Sequence, residues 1–138
     1  MEFTRRDTLA LGMGAVVLTM MPFRVNAAAD DAIAEFTGGA AMADSGVTLT
    51  APEIAENGNT VPISVESEGA VAIMILAAGN PTPGVATFTF GELAGAQSAS
   101  TRIRLAGTQD VIAIAKMADG SFAKASSNVK VTIGGCGG

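Results

Sequence analysis

The fold class is decided by residues 111–121, which read Val-Ile-Ala-Ile-Ala-Lys-Met-Ala-Asp-Gly-Ser. The first seven of these residues favour a β-strand, because β-branched and apolar side chains dominate. Asp119-Gly120 then gives the strongest short-range hairpin signal in the chain, since the tight turns of hairpins need residues that accept a positive φ. The stretch therefore predicts a strand that turns back after Ser121 into an antiparallel neighbour.

A period of two, which is typical of strands with one buried face, occurs at several other places in the chain. Apolar and polar residues alternate at 47–50, 61–65 and 129–133, whereas residues 70–78 are apolar throughout and predict a central strand covered on both faces. Pro62 predicts that its strand lies at a sheet edge. Seven short strands with turn residues between them predict an all-β fold, an antiparallel immunoglobulin-like β-sandwich. Two of these strands lie around 85–90 and 102–105.

Residues 1–29 are interpreted as an export signal. Arg5 and Arg6 precede an apolar run that is too short to cross a bilayer, since a spanning helix needs roughly 20 residues. The small residues 27–29 fit a cleavage site, and the paired arginines predict the twin-arginine route to the periplasm without membrane insertion after cleavage. An ordinary secretory leader that happens to hold two arginines is the alternative.

The domain proper is predicted to span residues 30–133 and to begin with a short amphipathic helix within 30–41. Ile33 and Phe36 are expected to face inward, and Gly38-Gly39 to end the helix. A chain of 138 residues is one domain by length. Its 49% hydrophobic and 15% charged content argues against disorder.

Composition also restricts the chemistry. With 8 basic against 13 acidic residues, the chain offers no basic surface for nucleic acid. It contains no histidine, so it lacks the commonest general base and transition-metal ligand, and it cannot assemble Ser-His-Asp or Cys-His catalysis alone. We therefore expect no catalytic residue, no metal site and no cofactor.

Cys136 is the one cysteine in the sequence, and glycines surround it on both sides. A lone cysteine in an exported protein indicates intermolecular pairing or a free reactive thiol. Four glycines offer no side chain to pack and the greatest backbone freedom, so residues 134–138 are predicted to form a flexible arm. No base in the chain activates the thiol, which makes Cys136 a passive attachment point. The members of the arm are Gly134, Gly135, Cys136, Gly137 and Gly138.

Other candidate residues are interpreted as structural. Arg102 and Arg104 lie on one strand face and can bind sulfate or thiosulfate, but a solvated or partner-contacting face is favoured. Four glutamates lack the spacing of a calcium loop and are expected to be surface charges. Three methionines are too scattered for copper and are expected to fill the core. These residues are Glu53, Glu56, Glu66 and Glu68, and Met42, Met74 and Met117.

Four stretches, residues 52–62, 80–86, 101–109 and 129–138, resemble the SoxY family of sulfur-carrier subunits of the bacterial thiosulfate-oxidising (Sox) system. The last stretch ends in Gly-Gly-Cys-Gly-Gly, which is highly specific for that family. The resemblance implies that Cys136 holds thiosulfate-derived intermediates covalently and that the flanking glycines form the arm that carries it.

The resemblance also implies the partners. It predicts a heterodimer with a SoxZ-like β-sandwich subunit, loading of thiosulfate by a SoxXA-like c-type cytochrome, and processing by other enzymes. A SoxB-like di-manganese hydrolase would remove sulfate, and a SoxCD-like sulfane dehydrogenase would oxidise the remaining sulfur. The chain itself would not be an enzyme.

Three other functions stay open from the residues alone. The main alternative is a periplasmic β-sandwich binding module with no covalent cargo. A ubiquitin-like carrier also ends in Gly-Gly, but it would hold sulfur on the terminal carboxylate in the cytoplasm. An independent sulfurtransferase would need turnover by this chain alone.

Overall fold

The computed structural model describes residues 27–135. One helix and nine strands make up this part of the chain. They are α1 (Ala27–Thr37), β1 (Met42–Ala43), β2 (Thr48–Thr50), β3 (Ile54–Asn57), β4 (Val61–Glu66), β5 (Ala70–Ala77), β6 (Gly84–Thr89), β7 (Ser98–Ile103), β8 (Gln109–Met117) and β9 (Phe122–Ile133).

The strands form two sheets with an apolar core between them. The larger sheet has the order β1-β9-β8-β5-β6, with β3 also paired to β9, and the smaller sheet has the order β2-β4-β7. The all-β, immunoglobulin-like β-sandwich predicted from the strand pattern is confirmed. The main core is filled by alternate side chains of both sheets, among them Val61, Ile63, Val65, Ile73, Ile75, Ile103, Leu105, Val111 and Val129.

The predicted hairpin at Asp119-Gly120 is present and joins β8 to β9. Gly120 adopts a φ of 87°, and the Met117 amide donates to the Ser121 carbonyl at 2.8 Å. The two strands pair in antiparallel register from Gln109 with Val129 to Lys116 with Phe122. The sequence motif that decides the fold class therefore also sets the register of the longest strand, since the turn fixes which residues pair.

β5 is the central strand that its continuous apolar sequence predicted. One of its faces contributes Ile73 and Ile75 to the main core, and the other contributes Met74 and Leu76 to a second apolar cluster. α1 covers this second cluster with Ala29, and its inward-facing Ile33 and Phe36 pack against it, as predicted. The Phe36 ring meets the Phe122 ring edge-on, with 5.9 Å between centroids.

The helix begins three residues earlier than predicted, at Ala27. It ends at Thr37, as the prediction for Gly38-Gly39 requires, because both glycines adopt positive φ angles, of 64° and 81°. Residues 1–26 of the predicted export signal lie outside the described residues. The predicted domain boundary at residue 30 thus falls inside α1, whose Ala29 is buried. In residues 27–135 no helix is long and apolar enough to cross a membrane.

Two predictions about strand pairing need correction. β1 and β3 pair with β9 in parallel, so the larger sheet is mixed. The path of the chain explains this pairing. After β1 the chain crosses to the smaller sheet, where it forms β2, and it then returns to the larger sheet, where β3 runs in the same direction as β9. Pro62 does not mark an edge strand, since β4 is the middle strand; the pairing with β2 stops at Ser64, before the proline is reached.

Candidate functional site

β9 leads directly to the candidate site. Its first eight residues pair with β8, and its last residues pair in parallel with β3, so the strand is supported up to Ile133. The amide of Gly58, just after β3, donates to the carbonyl of Ile133 at 2.7 Å. The point at which the chain leaves the sheet towards Cys136 is therefore fixed by a backbone hydrogen bond.

Gly134 and Gly135, which we call the arm root, lie against the body of the domain. The amide of Gly135 donates to the carbonyl of Leu105 at 2.8 Å. A methyl group on Gly135 would come within 2.9 Å of the Gly58 carbonyl oxygen, and one on Gly134 would collide with the carbonyl oxygen of Ala106. Neither glycine has a positive φ, so close approach of backbone to backbone is what requires glycine here.

This arrangement corrects the prediction for the first two residues of the arm. Gly134 and Gly135 were expected to give the cysteine reach and freedom, but in the structure they are packed and hydrogen-bonded. The absence of a side chain allows the backbone to dock as readily as it allows it to move. Cys136, Gly137 and Gly138 lie outside the described residues. In the sequence Cys136 directly follows Gly135, the second residue of the arm root.

Gly58 is a residue of the site that sequence reasoning missed. Its carbonyl accepts the amide of Leu105 at 2.8 Å. A methyl group on Gly58 would collide with the Leu105 carbonyl oxygen, and it would come within 2.8 Å of the Gly135 amide nitrogen. The sequence Asn57-Gly58-Asn59 is typical of a turn, and no local signal distinguishes a turn glycine from one that a distant segment approaches.

The segment that receives the arm root follows β7. We call residues 104–107 the anchor loop. The side chain of Leu105 is fully buried, and both backbone groups of this residue are hydrogen-bonded. Its amide donates to the carbonyl of Gly58, and its carbonyl accepts the amide of Gly135. The anchor loop, Gly58 and the arm root together form one end of the sandwich, the root end. The opposite end, which we call the far end, holds the hairpin at 117–122. The nine residues of β8 span the distance between the two ends, about 26 Å.

The charged candidates are dispersed. Both arginines are exposed: Arg104 is the first residue of the anchor loop, and Arg102, in β7, donates to the hydroxyl of Thr60 at 3.3 Å. The four glutamates are exposed as expected, and residues 27–135 contain no group of three or more metal-ligating acidic, histidine or cysteine side chains. Of the methionines, Met74 belongs to the second apolar cluster, while Met42 packs against that cluster and Met117 against the main core.

The fold and the site define a class of protein. It is a β-sandwich in which a docked backbone segment follows the last strand and precedes, in the sequence, a cysteine flanked by glycines. Comparison with known proteins identifies the family. A sequence model of the family described as "Sulfur oxidation protein SoxY" matches residues 33–136, and the chain belongs to this family.

Solved structures agree with this assignment. The sulfur carrier protein SoxY from Chlorobium limicola f thiosulfatophilum is 34% identical, with a TM-score of 0.69, over 78% of this chain and 94% of that one. A superoxide reductase (neelaredoxin) from Ignicoccus hospitalis is 14% identical with a TM-score of 0.56, over 63% and 80% of the two chains, and shows the fold alone. No curated protein matches the chain.

Proposed function

We propose that this chain carries sulfur as a covalent adduct of Cys136 and presents it to separate enzymes that oxidise the sulfur to sulfate. The observation that carries the proposal is the SoxY family match, which extends through residue 136 and so includes the one cysteine of the sequence. Family membership and the likeness to a SoxY sulfur carrier support a carrier role in sulfur oxidation.

The loading step is an oxidation. The Cys136 thiol and thiosulfate lose one proton and two electrons together, and a sulfur–sulfur bond forms between Sγ and the outer sulfur of thiosulfate. A c-type cytochrome partner takes the two electrons. Addition of water to the resulting S-thiosulfonate then releases sulfate and a proton and leaves a persulfide on Cys136, the step we assign to a hydrolase partner.

The chain contributes attachment and presentation to this cycle. A free thiol has a pKa of about 8.5, so little thiolate is present near neutral pH without help. The sequence offers no histidine that could act as a base beside Cys136. We infer that the partner enzymes supply activation, electron acceptor and metal, and that the chain acts as their shared substrate.

The proposal includes location and assembly. The paired Arg5 and Arg6 support export to the periplasm by the twin-arginine route, which carries folded proteins. Family membership supports a heterodimer with a SoxZ-like subunit. Export in a folded state would let a partner without its own signal travel bound to this chain.

Intact-protein mass spectrometry tests the proposal. The protein is isolated from the periplasm of cells grown on thiosulfate and measured with and without reductant. We expect adducts of about 32, 80 or 112 Da, for one sulfur, a sulfonate or a thiosulfonate, that map to Cys136 and disappear on reduction. Cys136→Ser is the matched control and should show the unmodified mass in both conditions.

A single unmodified mass in wild-type protein, or adducts that persist in Cys136→Ser, would contradict the proposal. The chain would then be better described as a periplasmic binding module without covalent cargo. Adducts on the C-terminal carboxylate would instead indicate the ubiquitin-like type of carrier.

A further inference from the structure

Two buried amide side chains lie beneath the anchor loop. Asn80, in the turn after β5, is 5% exposed, and Gln109, at the start of β8, is 8% exposed. Burying an amide side chain is unfavourable unless its donors and acceptors are paired. The hydrogen-bond partners of these two side chains, which we call the amide pair, therefore identify the backbone that their burial stabilises.

Asn80 binds the anchor loop at two points. Its Nδ2 donates to the carbonyl of Arg104 at 2.8 Å, and its Oδ1 accepts the amide of Ala106 at 2.9 Å. These two bonds bracket Leu105, the residue whose carbonyl receives the Gly135 amide. Asn80 thus fixes the backbone on both sides of the group that holds the arm root.

Gln109 completes the network from the other side. Its Nε2 donates to Asn80 Oδ1 at 2.8 Å and to the carbonyl of Gly107 at 3.0 Å, and its Oε1 accepts the amide of Gly79 at 2.9 Å. No buried side-chain nitrogen or oxygen is left without a partner in the described part of the chain. A fully paired buried network of this kind rigidifies the backbone that it joins.

We propose that Asn80 and Gln109 are positioning residues for the carrier cysteine. They hold the anchor loop, the anchor loop holds Gly135, and Cys136 consequently starts from a fixed point on the sandwich. Fixing the start of a tether reduces the volume that its end samples and raises the effective concentration of that end at a docked partner's site. This inference rests on the proposed function, because a positioned cysteine matters only if partner enzymes act on it.

Amide hydrogen exchange tests the anchoring directly. In Asn80→Ala we expect the exchange of the Gly135 amide to accelerate roughly tenfold, the effect of losing about one buried hydrogen bond. Amides of the central β5–β8 pairing, such as that of Ile114, should keep their rates. Asn128→Ala is the matched control, since it removes an asparagine side chain that donates to the exposed Asp110 carboxylate at 2.9 Å, and it should leave the exchange of the Gly135 amide unchanged.

A second variant keeps the test decisive if Asn80→Ala does not fold. Gln109→Met preserves the length and apolar volume of the side chain but removes its three hydrogen bonds, and we expect the same selective acceleration at Gly135. The proposal is overturned if Gly135 exchanges as in the wild type. It is also overturned if Gly135 and Ile114 accelerate by equal factors, since the amide pair would then stabilise the whole domain without a special effect on the arm root.

Sulfur loading separates this inference from the proposed function. When reduced protein is added with thiosulfate to periplasmic extract of cells grown on thiosulfate, the initial rate at which Cys136 gains an adduct should fall roughly tenfold in Asn80→Ala, because misplacing a reacting group by about 1 Å can cost up to about a hundredfold in rate. Unchanged loading despite faster Gly135 exchange would overturn the positioning role. If wild-type protein carries no adduct, the proposed function fails, while the exchange result still decides whether the amide pair anchors the arm root.

Discussion

The two ends of the sandwich are both built from turns, yet they are held by different kinds of hydrogen bond. At the far end, Asp119 Oδ1 accepts the amide and the hydroxyl of Ser121, two residues along the chain. At the root end, Asn80 bonds to Arg104 and Ala106, which lie 24 and 26 residues away. The side-chain bonds of the far turn are local, beside one backbone bond from the Ala118 amide to the Gly69 carbonyl, whereas Asn80 reaches the anchor loop only in the assembled fold.

The difference has a consequence for a carrier. The side-chain hydrogen bonds that shape the far turn join residues only two apart, so they do not depend on the packing of the two sheets. An arm root held by long-range bonds has its geometry only when both sheets are packed. Its contacts come from the segments that follow β3 and β7, and the second of these segments is held by residues after β5 and at the start of β8. The arm root, which precedes Cys136 in the sequence, therefore has its geometry only in a completed domain.

Removal of an apolar side chain should give the largest difference in the free energy of unfolding between a buried root-end position and an exposed one. Leu105 is fully buried at the root end, and Leu105→Ala should lower the free energy of unfolding by about 2–5 kcal/mol, the usual cost of such a cavity. Leu93, in the loop between β6 and β7, is 100% exposed, and Leu93→Ala should change it by less than about 0.5 kcal/mol. Urea denaturation of both variants checks this, and equal losses would contradict the burial difference between them.

The far end could be predicted from the sequence because its signals are local. Asp119-Gly120 identifies the hairpin, the apolar and β-branched residues before it indicate β8, and the alternation at 129–133 indicates β9. The same kind of signal found Gly38 and Gly39 at the end of α1. The parallel pairing of β1 and β3 with β9 could not be predicted, since strands of two and four residues carry too little periodicity to indicate a partner.

The candidate site divides in the same way. The lone cysteine between glycines is visible in the sequence and points to an attachment site. The docking of Gly134 and Gly135 is not visible in the sequence, because a glycine that is needed for close approach of two backbone segments cannot be distinguished from one that is needed for motion. Asn80 and Gln109 were missed for a related reason: each is a single amide in a turn or at a strand start, and only the folded chain brings them together.

A methyl group on a root-end glycine should have the next largest effect. Gly58→Ala places a methyl group against the Leu105 carbonyl and the Gly135 amide, so we expect a loss of about 1–3 kcal/mol, the usual cost of overpacking. Gly107→Ala is a matched control in the same region, because its methyl group would meet no atom within 4 Å. Thermal and urea denaturation measure both.

Hydrogen exchange sharpens the same comparison. The Gly135 amide should exchange faster in Gly58→Ala than in Gly107→Ala even after correction for global stability, because the added methyl group displaces the arm root. If the two variants have the same stability and the same Gly135 exchange, the close approach between residues 58 and 135 does not hold in solution.

The smallest expected effect lies at the far end and concerns pH. Hydrogen bonds from the Ser121 hydroxyl and amide lower the pKa of Asp119 below its ordinary value of 3.8. The contribution of these hydrogen bonds to stability is therefore present above that ordinary value and is lost as the pH falls through the lowered pKa of the folded state.

Asp119→Asn should remove a small part of the acid-induced fall in melting temperature. Asn80→Ala should leave the shape of that pH profile unchanged, because the bonds at the root end involve amides and carbonyls that do not titrate. A profile that Asp119→Asn leaves unaltered would show that the Ser121 bonds do not persist in solution, and the contrast between a titratable far end and a non-titrating root end would be lost.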